Sequence, residues 1–223
     1  TVYGLPKELP LKETHNTKPT NPYGMIKLNI ENLLRFISIK NTNFQAIILR
    51  YFNPVGSHES GLIGDKNKNL NNLMPVIVKV GEGQIKTLSI FGNDYDTIDG
   101  TCVRDYIHIM DVADGHVASL NYFQENKRIE CFNLGTGKGY SVLEVLSKFE
   151  KVNNLSIPYN FSKRRQGDVA ISFANVEKIY KNIGWKANYS LEDMCRSSWN
   201  FVLVNKQWFH FTIILNLNLE IRK

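Results

Sequence analysis

A tyrosine and a lysine stand four residues apart at the start of a segment with helical periodicity. These residues are Tyr23 and Lys27, and the tyrosine lies inside the string Asn21-Pro22-Tyr23-Gly24. On a helix, positions i and i+4 share one face, with Cβ atoms about 5–6 Å apart. An ammonium group at that distance stabilises the phenolate form of a tyrosine, which suits the phenol to general acid–base chemistry. Taken alone, this spacing more often belongs to an ordinary tyrosine and lysine on a solvated helix surface.

The segment that carries this pair is predicted to be a helix followed by a buried strand. Thr20 or Asn21 can cap the helix, Pro22 suits its first turn, and an apolar stripe continues to Lys40. The run 46–52 is almost continuously apolar, as in a strand of a parallel sheet that is covered on both faces. A helix followed by such a strand is half of a βαβ unit, so the sequence predicts an α/β protein.

Further elements alternate along the rest of the chain. Helices are predicted at 72–81, 111–124, 142–149, 176–182 and 191–200. Strands are predicted at 1–4, 88–91, 104–109, 130–134 and 157–159. Asp111 and Ser141 are the expected N-caps of the two central helices. Residues 201–223 show no convincing amphipathic period, and we interpret them as an atypical tail, either a strand or an added extension.

Two loops carry residue types that bind ions in other proteins, and neither matches a known pattern. Loop 92–101 is rich in Asp and Gly, but its Asp spacing does not fit an EF-hand and the twelfth-position Glu is missing. Loop 135–141 resembles a phosphate cradle before a helix, but it lacks the Lys-Ser/Thr ending of a P-loop. We therefore predict a solvated loop, a tight strand-to-helix turn and no metal site.

The composition is that of a globular protein. The chain has 223 residues, a net charge of +6 and 43% hydrophobic residues, which fits one or two domains. The longest basic run is Lys163-Arg164-Arg165, so no basic stripe indicates a nucleic-acid partner. Three cysteines without a Cys-x-x-Cys pattern predict free thiols in a reducing compartment, and we expect a cytoplasmic protein. Polar residues interrupt the tail too often for a membrane span, so no membrane partner is expected.

Several motifs, taken in order, resemble one enzyme family. They are Thr-Val-Tyr-Gly at 1–4, Asn-Pro-Tyr-Gly and a lysine at 21–27, Leu-Arg-Tyr-Phe-Asn-Pro-Val-Gly at 49–56, Asn-Asn-Leu-Met-Pro at 71–75, Ile-Phe-Gly-Asn-Asp-Tyr at 90–95, the stretch 100–108, Asn-Leu-Gly at 133–135 and Arg-Gln-Gly-Asp at 165–168. Over about residues 1–200 this order is similar to the UDP-glucose 4-epimerases, also called UDP-galactose 4-epimerases. They belong to the extended short-chain dehydrogenase/reductase (SDR) family.

The resemblance implies an α/β fold, with the C-terminal part of a Rossmann-type parallel sheet and a smaller α/β substrate-binding domain. Residues 1–56 would be a remnant of the NAD-binding Rossmann domain, to which 88–124 partly return. Residues 57–200 would form mainly the UDP-sugar domain, and 201–223 the atypical tail. The family's glycine-rich pyrophosphate turn is not found, and the chain starts at Thr1 rather than at a methionine. We therefore expect an N-terminally truncated chain whose NAD binding is severely weakened.

The resemblance also implies roles for individual residues. Tyr23 would be the base at the sugar 4-hydroxyl, and Lys27 would hold the nicotinamide ribose, while a hydride passes to NAD and returns to the other face of a 4-keto sugar. The cofactor-binding residues would be Tyr23, Lys27, Tyr51 and Phe52. The substrate-binding residues would be Thr1, Asn53, Asn72, Leu73, Ser89, Phe91, Arg104, Tyr106, Arg165, Asp168 and Ser172.

Within that substrate set, each part of the nucleotide sugar has its own expected contacts. Arg104 and Arg165 would clamp the diphosphate, a use that suits guanidinium forks. Ser89 and Phe91 would flank uracil, and Asp168 would accept hydrogen bonds from the ribose hydroxyls. One departure from the family pattern is Cys102, which replaces a glycine and would be strained if that position required a positive φ.

We therefore expect NAD-dependent interconversion of UDP-glucose and UDP-galactose, an isomerase reaction of galactose metabolism. Ser172 stands where hexose-restricted members carry a tyrosine, which leaves room for an N-acetyl group and extends the expectation to UDP-N-acetyl sugars. One alternative is a catalytically inactive fragment that only binds a UDP-sugar or a partner chain. Another is a sugar-nucleotide 4,6-dehydratase, against which Thr1 counts because dehydratases carry an acidic residue there. The resemblance also allows a homodimer through the helix of Tyr23 and Lys27.

Overall fold

The computed structural model describes residues 1–65, 71–122 and 128–220, with side chains described as far as Lys206. The helices are α1 (Pro22–Lys40), α2 (Leu73–Gly81), α3 (Ile109–Ser119), α4 (Val142–Asn153), α5 (Glu177–Ile183) and α6 (Leu191–Glu220). The strands are β1 (Ala46–Tyr51), β2 (Asn53–Val55), β3 (Leu88–Phe91), β4 (Val103–Arg104), β5 (Tyr106–His108), β6 (Ile129–Leu134), β7 (Tyr140–Ser141), β8 (Tyr159–Ser162) and β9 (Ile171–Ser172).

The parallel strands β1 and β6 form the interior of one half of the fold. Ala46 pairs with Ile129 and Tyr51 with Leu134, so both strands end at the same edge. The apolar core on this pair is made of Ile107, Val112, Tyr122, Phe132, Leu134, Ile179 and Trp185. The predicted parallel strand is confirmed over Ala46–Tyr51, but its burial is only partial: Ile48 is buried, Tyr51 is exposed and the other positions are half-buried. Apolar side chains from β5, α3 and α5 pack against the sheet.

Helix α1 turns a polar strip towards the protein and leaves apolar residues exposed. Its buried positions are Gly24, Glu31 and Ser38, whereas Leu33 of the predicted stripe is 57% exposed. Arg50 of β1 holds the Glu31 carboxylate with two N–H groups, Nε to Oε1 at 2.8 Å and Nη2 to Oε2 at 2.7 Å. Burial opposes the charge of Glu31, but the hydrogen bonds and charges of Arg50 and Arg35 together outweigh it and lower the pKa of the carboxyl. The predicted helix is confirmed, and an ion pair anchors it to the sheet.

A second layer packs α2, α4 and α6 around β3. Strand β3 pairs in parallel with β8, and β4 lies between antiparallel β7 and parallel β9. Helix α4 begins with a reciprocal capping box, since Ser141 Oγ accepts from Glu144 N at 3.0 Å and the Glu144 carboxylate accepts from Ser141 N at 2.7 Å. The most buried side chains of this core are Ile77, Leu88, Ile90, Val145, Leu146, Phe149, Ile157, Met194 and Cys195.

Asp105 joins the two layers and divides the predicted strand 104–109 into β4 and β5. Its carboxylate accepts hydrogen bonds from Thr136 N at 2.8 Å, Thr136 Oγ1 at 2.7 Å, Gly137 N at 3.0 Å and Ala174 N at 3.1 Å. Burial raises the pKa of the Asp105 carboxyl, and these four donors oppose that rise. A Cβ at Gly135 would lie 2.5 Å from Asp105 Oδ2, so this position needs a glycine. The glycine turn therefore holds a carboxylate of the same chain, which confirms its interpretation as a structural turn.

The predicted cap of α3 was wrong. His108, not Asp111, is the N-cap, and its Nδ1 accepts from Met110 N at 3.1 Å. Asp111 lies inside the first turn, where its carboxylate accepts from Asn188 N at 2.8 Å and Tyr189 N at 3.1 Å. The helix ends at Ser119, and part of the predicted extension to 124 lies outside the described residues.

Three other predictions need correction. Residues 1–4 form a turn rather than a strand, because Gly4 has a φ of +67° and its N–H donates to the Thr1 carbonyl at 3.4 Å. The strand predicted at 157–159 lies further along the chain, as β8, which begins at Tyr159. The Pro158 carbonyl, just before it, accepts a hydrogen bond from Leu88 N at 2.8 Å. Helix α6 continues through 201–220, where we had considered a strand. Within the described residues, no helix is long and apolar enough to cross a membrane.

Asp105→Ala is expected to destabilise the fold by about 3–5 kcal/mol, because three buried backbone N–H groups and a hydroxyl lose their acceptor together. Urea-induced unfolding measures the loss. Asp114→Ala is the matched control, because Asp114 is exposed on α3 and its removal should change stability by less than about 0.5 kcal/mol. Equal effects of the two substitutions would show that Asp105 does not join the layers.

Candidate active site

Tyr23 and Lys27 lie in the first turns of α1 and face open space. Asn21 Oδ1 accepts from Gly24 N at 2.8 Å and fixes the start of the helix, with Pro22 as the first helical residue. Tyr23 is 59% exposed. Lys27 Nζ lies 5.3 Å from the centroid of the Tyr23 ring. The two side chains therefore share one helix face and are open to a ligand.

Two other segments reach the start of α1. Thr1 packs on Gly24, where a Cβ would come within 3.0 Å of the Thr1 carbonyl oxygen. From the other segment, Gly167 faces Thr20, with 3.9 Å between a Gly167 Cβ and Thr20 Oγ1. The next residue, Asp168, lies 3.8 Å from Arg104 Nη2. The structure thus brings the loop around Gly167, and with it Arg104, near the end of α1 that carries the tyrosine.

Arg104 and Asp168 form one side of the candidate site. Arg104 Nη2 lies 3.8 Å from Asp168 Oδ1, and the Asp168 side chain is 38% exposed. Arg104 Nη1 donates to its neighbour's carbonyl, Val103 O, at 2.9 Å. The parallel pairing of β4 and β9 places Ser172 beside Arg104. These contacts orient the guanidinium and leave the carboxylate accessible.

Arg165 and Phe91 form a second side, joined to the first by the turn in which Asp168 N donates to Arg165 O at 3.3 Å. Arg165 Cζ lies 3.9 Å from the centroid of the Phe91 ring, a cation–π contact. Arg165 Nη1 also donates to the Asn71 carbonyl at 3.1 Å. Ser89 and Phe91 are two residues apart on β3, so they face the same side of the strand. An aromatic ring, a guanidinium and the chain before α2 therefore meet at one place.

The N-terminus of α2 adds hydrogen-bond donors to this side. Asn72 is the N-cap residue, yet its side chain makes no capping hydrogen bond. The first N–H groups of a helix, here from Leu73 onward, have no intrahelical partner and favour an anion. With Arg165 bound to the carbonyl of Asn71, this end of the helix is suited to a phosphate group.

The residues at the carboxyl end of β1 differ in accessibility. Tyr51 is 49% exposed, and Phe52 N donates to Leu134 O at 3.0 Å. Asn53 is exposed and pairs in register with Tyr106 of β5. Tyr106 itself is only 4% exposed and lies in the core, where burial raises the pKa of its phenol. The structure therefore places Tyr51 and Asn53 at the surface but Tyr106 behind it.

Sequence reasoning missed two residues of this region. Tyr95 was part of a loop predicted to be solvated, but it is 6% exposed, as a lone aromatic in a polar loop could have indicated. Asp105 is not among the predicted site residues, and its carboxylate accepts hydrogen bonds from three backbone N–H groups. Cys102 is not strained, because Asn154 is the only non-glycine residue with a positive φ in the described part of the chain.

A cavity of about 1170 Å³ lies between α2, α6 and the chain that follows β2. Of the predicted substrate residues, Asn72 lines it. The candidate site itself is therefore an open surface around Arg104 and Arg165 rather than this cavity. Across residues 1–65, 71–122 and 128–206, no three His, Cys, Asp or Glu side chains are grouped to hold a metal ion.

The family model described as GDP-mannose 4,6 dehydratase matches residues 1–198. The chain belongs to this family. Within it, the chain is 48% identical over 212 residues to a bifunctional UDP-glucose 4-epimerase and UDP-xylose 4-epimerase of Arabidopsis thaliana, covering 94% of the chain and 60% of the relative. It is also 48% identical over 202 residues to a UDP-glucose 4-epimerase of Bacillus subtilis, covering 90% of the chain and 60% of the relative. The chain spans about three fifths of the length of these relatives.

Solved structures of family members give the same picture. A UDP-glucose 4-epimerase from Bifidobacterium longum in complex with NAD⁺ and UDP superimposes with a TM-score of 0.87 at 47% identity, covering 92% of the chain and 62% of the other. A second, from Stenotrophomonas maltophila with bound NAD and formylated UDP-arabinopyranose, gives a TM-score of 0.88 at 42% identity and the same coverage. The resemblance to UDP-glucose 4-epimerases and the Rossmann-type α/β fold class are both confirmed.

Asn72→Ala is expected to cost less than about 0.5 kcal/mol of stability, since its side chain makes no capping bond. Asn21→Ala removes the bond to Gly24 N and should cost about 1 kcal/mol. Urea unfolding of both variants tests the difference. A loss at Asn72 as large as the loss at Asn21 would mean that the side chain of Asn72 supports α2 rather than being free for a ligand.

Proposed function

We propose that the chain provides the proton-transfer and UDP-sugar-binding residues of an NAD-dependent enzyme that interconverts UDP-glucose and UDP-galactose, a reaction of galactose metabolism. The observation that carries this proposal is the exposed Tyr23–Lys27 pair, which lies at the same end of the molecule as the turn of Gly167 and Asp168 that contacts Arg104. The relatives at 48% identity support it, because they are named 4-epimerases. They do not favour a sugar-nucleotide 4,6-dehydratase, the enzyme alternative considered from the sequence.

The substrate would lie across the two sides of the candidate site. Arg104 and Arg165 would bind the diphosphate, with Asn72, the N–H end of α2 at Leu73, and Asn53 beside it. Ser89 and Phe91 would contact uracil, Asp168 the ribose hydroxyls, and Thr1 and Ser172 the sugar. Tyr106, also expected to contact the substrate, is buried in the core and pairs in register with Asn53. Exposed donors and one accessible carboxylate suit a ligand with two phosphates and two ribose hydroxyls.

The residues present fit the nicotinamide half of NAD. Tyr51 ends β1 and Phe52 follows it, so both lie at the carboxyl edge of the parallel pair β1 and β6. Dinucleotides bind at this edge in such folds. Tyr51 offers an exposed ring, and Lys27 offers an exposed ammonium group that can bind a ribose hydroxyl. NAD, when bound, would accept a hydride from the sugar and return it.

The reaction requires a proton to leave the sugar 4-hydroxyl and later to come back. Tyr23 would take this proton in its phenolate form and return it, and the Lys27 ammonium would stabilise the phenolate. Arg104 and Arg165 would hold the diphosphate while the 4-keto sugar turns its other face. Each group is regenerated, so the reaction has no net oxidation.

The proposal also covers organisation and assembly. Residues 1–56 and part of 88–124 would serve the cofactor, and residues 57–200 mainly the substrate. The exposed apolar residues of α1, including Ile26, Leu33 and Phe36, would pair with the same helix of a second copy in a homodimer. We propose a cytoplasmic enzyme.

Tyr23→Phe is expected to lower the turnover of UDP-galactose by a factor of about 10²–10⁴, with UDP binding retained, because only the proton transfer is removed. The assay uses the chain joined to the part of the Bacillus subtilis relative that the match leaves out. Tyr180→Phe, which alters another exposed tyrosine on α5, should leave turnover unchanged. If the joined chain binds NAD and UDP but has no turnover, it is an inactive fragment, as considered from the sequence.

The joined chain is also expected to turn over UDP-N-acetylglucosamine, because Ser172 is small and lies beside Arg104. Ser172→Tyr should abolish this activity and keep the activity on UDP-galactose. A coupled assay with both substrates measures the ratio of the two rates. Turnover of UDP-galactose without any turnover of UDP-N-acetylglucosamine by the unaltered joined chain would refute the expectation.

A further inference from the structure

Tyr95 places a buried hydroxyl without a partner next to the candidate site. The residue lies in the loop between β3 and β4 and is 6% exposed. Its Oη has no hydrogen-bond partner at normal distance among the described residues, and the Cys102 thiol is the side-chain group beside it. A buried hydroxyl that lacks a partner is costly in a folded protein, so it commonly serves a ligand, a water molecule or a moving side chain.

The Tyr95 ring is held rigidly, so its hydroxyl is fixed in position. A Cβ at Gly92 would come 2.4 Å from Tyr95 Cε2, which shows that the backbone lies directly against the ring. The Arg164 guanidinium lies 4.2 Å from the ring centroid, and Asp94 Oδ1 accepts from Arg164 Nε at 2.7 Å. Tyr95 N donates to Gly100 O at 2.9 Å. The Arg164 guanidinium therefore packs on the Tyr95 ring, at the start of the turn that leads to residue 168.

The surroundings of the hydroxyl indicate what it can bind. Burial, together with the neighbouring Cys102 thiol and Asp168 carboxylate, raises the pKa of Tyr95 to about 12. The phenol therefore keeps its proton at neutral pH and can donate it. A thiol is a weak acceptor, whereas a carboxylate is a strong one. Asp168 is the anionic acceptor on the segment that packs on Tyr95: Arg164 lies on the Tyr95 ring, and Asp168 N donates to Arg165 O at 3.3 Å in the turn that follows. The Asp168 carboxylate lies 3.8 Å from Arg104 Nη2.

We propose that Tyr95 is a positioning residue for the ribose end of the nucleotide. In the bound state its hydroxyl donates to the Asp168 carboxylate and holds it towards the two ribose hydroxyls. Tyr95 itself does not touch the nucleotide and acts through Asp168. This inference rests on the proposed function, because it takes Asp168 to be the ribose-binding residue.

The test is calorimetric titration of the 223-residue chain with UDP and with 2′,3′-dideoxy-UDP, which lacks both ribose hydroxyls. Tyr95→Phe should weaken UDP binding about tenfold, the loss of one charge-assisted hydrogen bond, and should change dideoxy-UDP binding less than about twofold. In an Asp168→Asn background, Tyr95→Phe should weaken UDP binding much less. Tyr122→Phe is the matched control, because Tyr122 is also buried and its hydroxyl donates to Asn182 Oδ1 at 3.1 Å, in the other core.

The outcomes separate this proposal from the proposed function. If the unaltered chain binds UDP but Tyr95→Phe leaves that binding unchanged, or weakens both nucleotides equally, the positioning role is refuted and the UDP site stands. An undiminished effect of Tyr95→Phe in the Asp168→Asn background would also refute it. If the unaltered chain binds neither nucleotide, the proposed UDP site fails and this inference fails with it.

Discussion

The candidate site depends on the buried carboxylate of Asp105. It accepts four hydrogen bonds, from the glycine turn after β6 and from Ala174 after β9. Because Arg104 precedes it directly and Ser172 pairs beside that arginine, the same carboxylate sets the position of both. Buried backbone N–H groups need acceptors, and one side chain here serves three of them. The parallel pair β1–β6 and the layer of α2, α4 and α6 are thereby held in one arrangement.

The second constraint is the buried ion pair between Glu31 and Arg50. It turns the polar strip of α1 inward, against the usual preference for an apolar contact, and so leaves apolar side chains outside. Two N–H groups of one guanidinium fix both the position and the rotation of the helix. Tyr23 and Lys27 therefore emerge at a defined face near Thr1 and Arg104. The proton-transfer pair that we propose owes its placement to this ion pair together with the packing of Leu28 on Val2, Tyr3 and Leu11.

Local patterns predicted much of this fold, and contacts distant in sequence account for what they missed. Pro22 after a capping residue and the apolar run 46–52 were sufficient to predict α1 and β1. The inward face of α1 was not predictable, because it depends on Arg50, nineteen residues beyond Glu31. Asp111 has the residue type of a cap, but the strand before it ends only at His108, which takes that role. The ordered motifs indicated the candidate site residues, whereas the burial of Tyr106 and Tyr95 appears only in three dimensions.

The central claim is that this surface binds a UDP-sugar with its 4-hydroxyl at Tyr23. A crystal structure of the chain, joined to the remaining part of its Bacillus subtilis relative and bound to NAD and UDP-glucose, tests it most directly. We expect Tyr23 Oη to lie about 2.6–3.2 Å from the sugar 4-hydroxyl, and Arg104 and Arg165 to contact the diphosphate. A UDP-sugar bound elsewhere, with Tyr23 facing solvent, would show that this surface is not the substrate site.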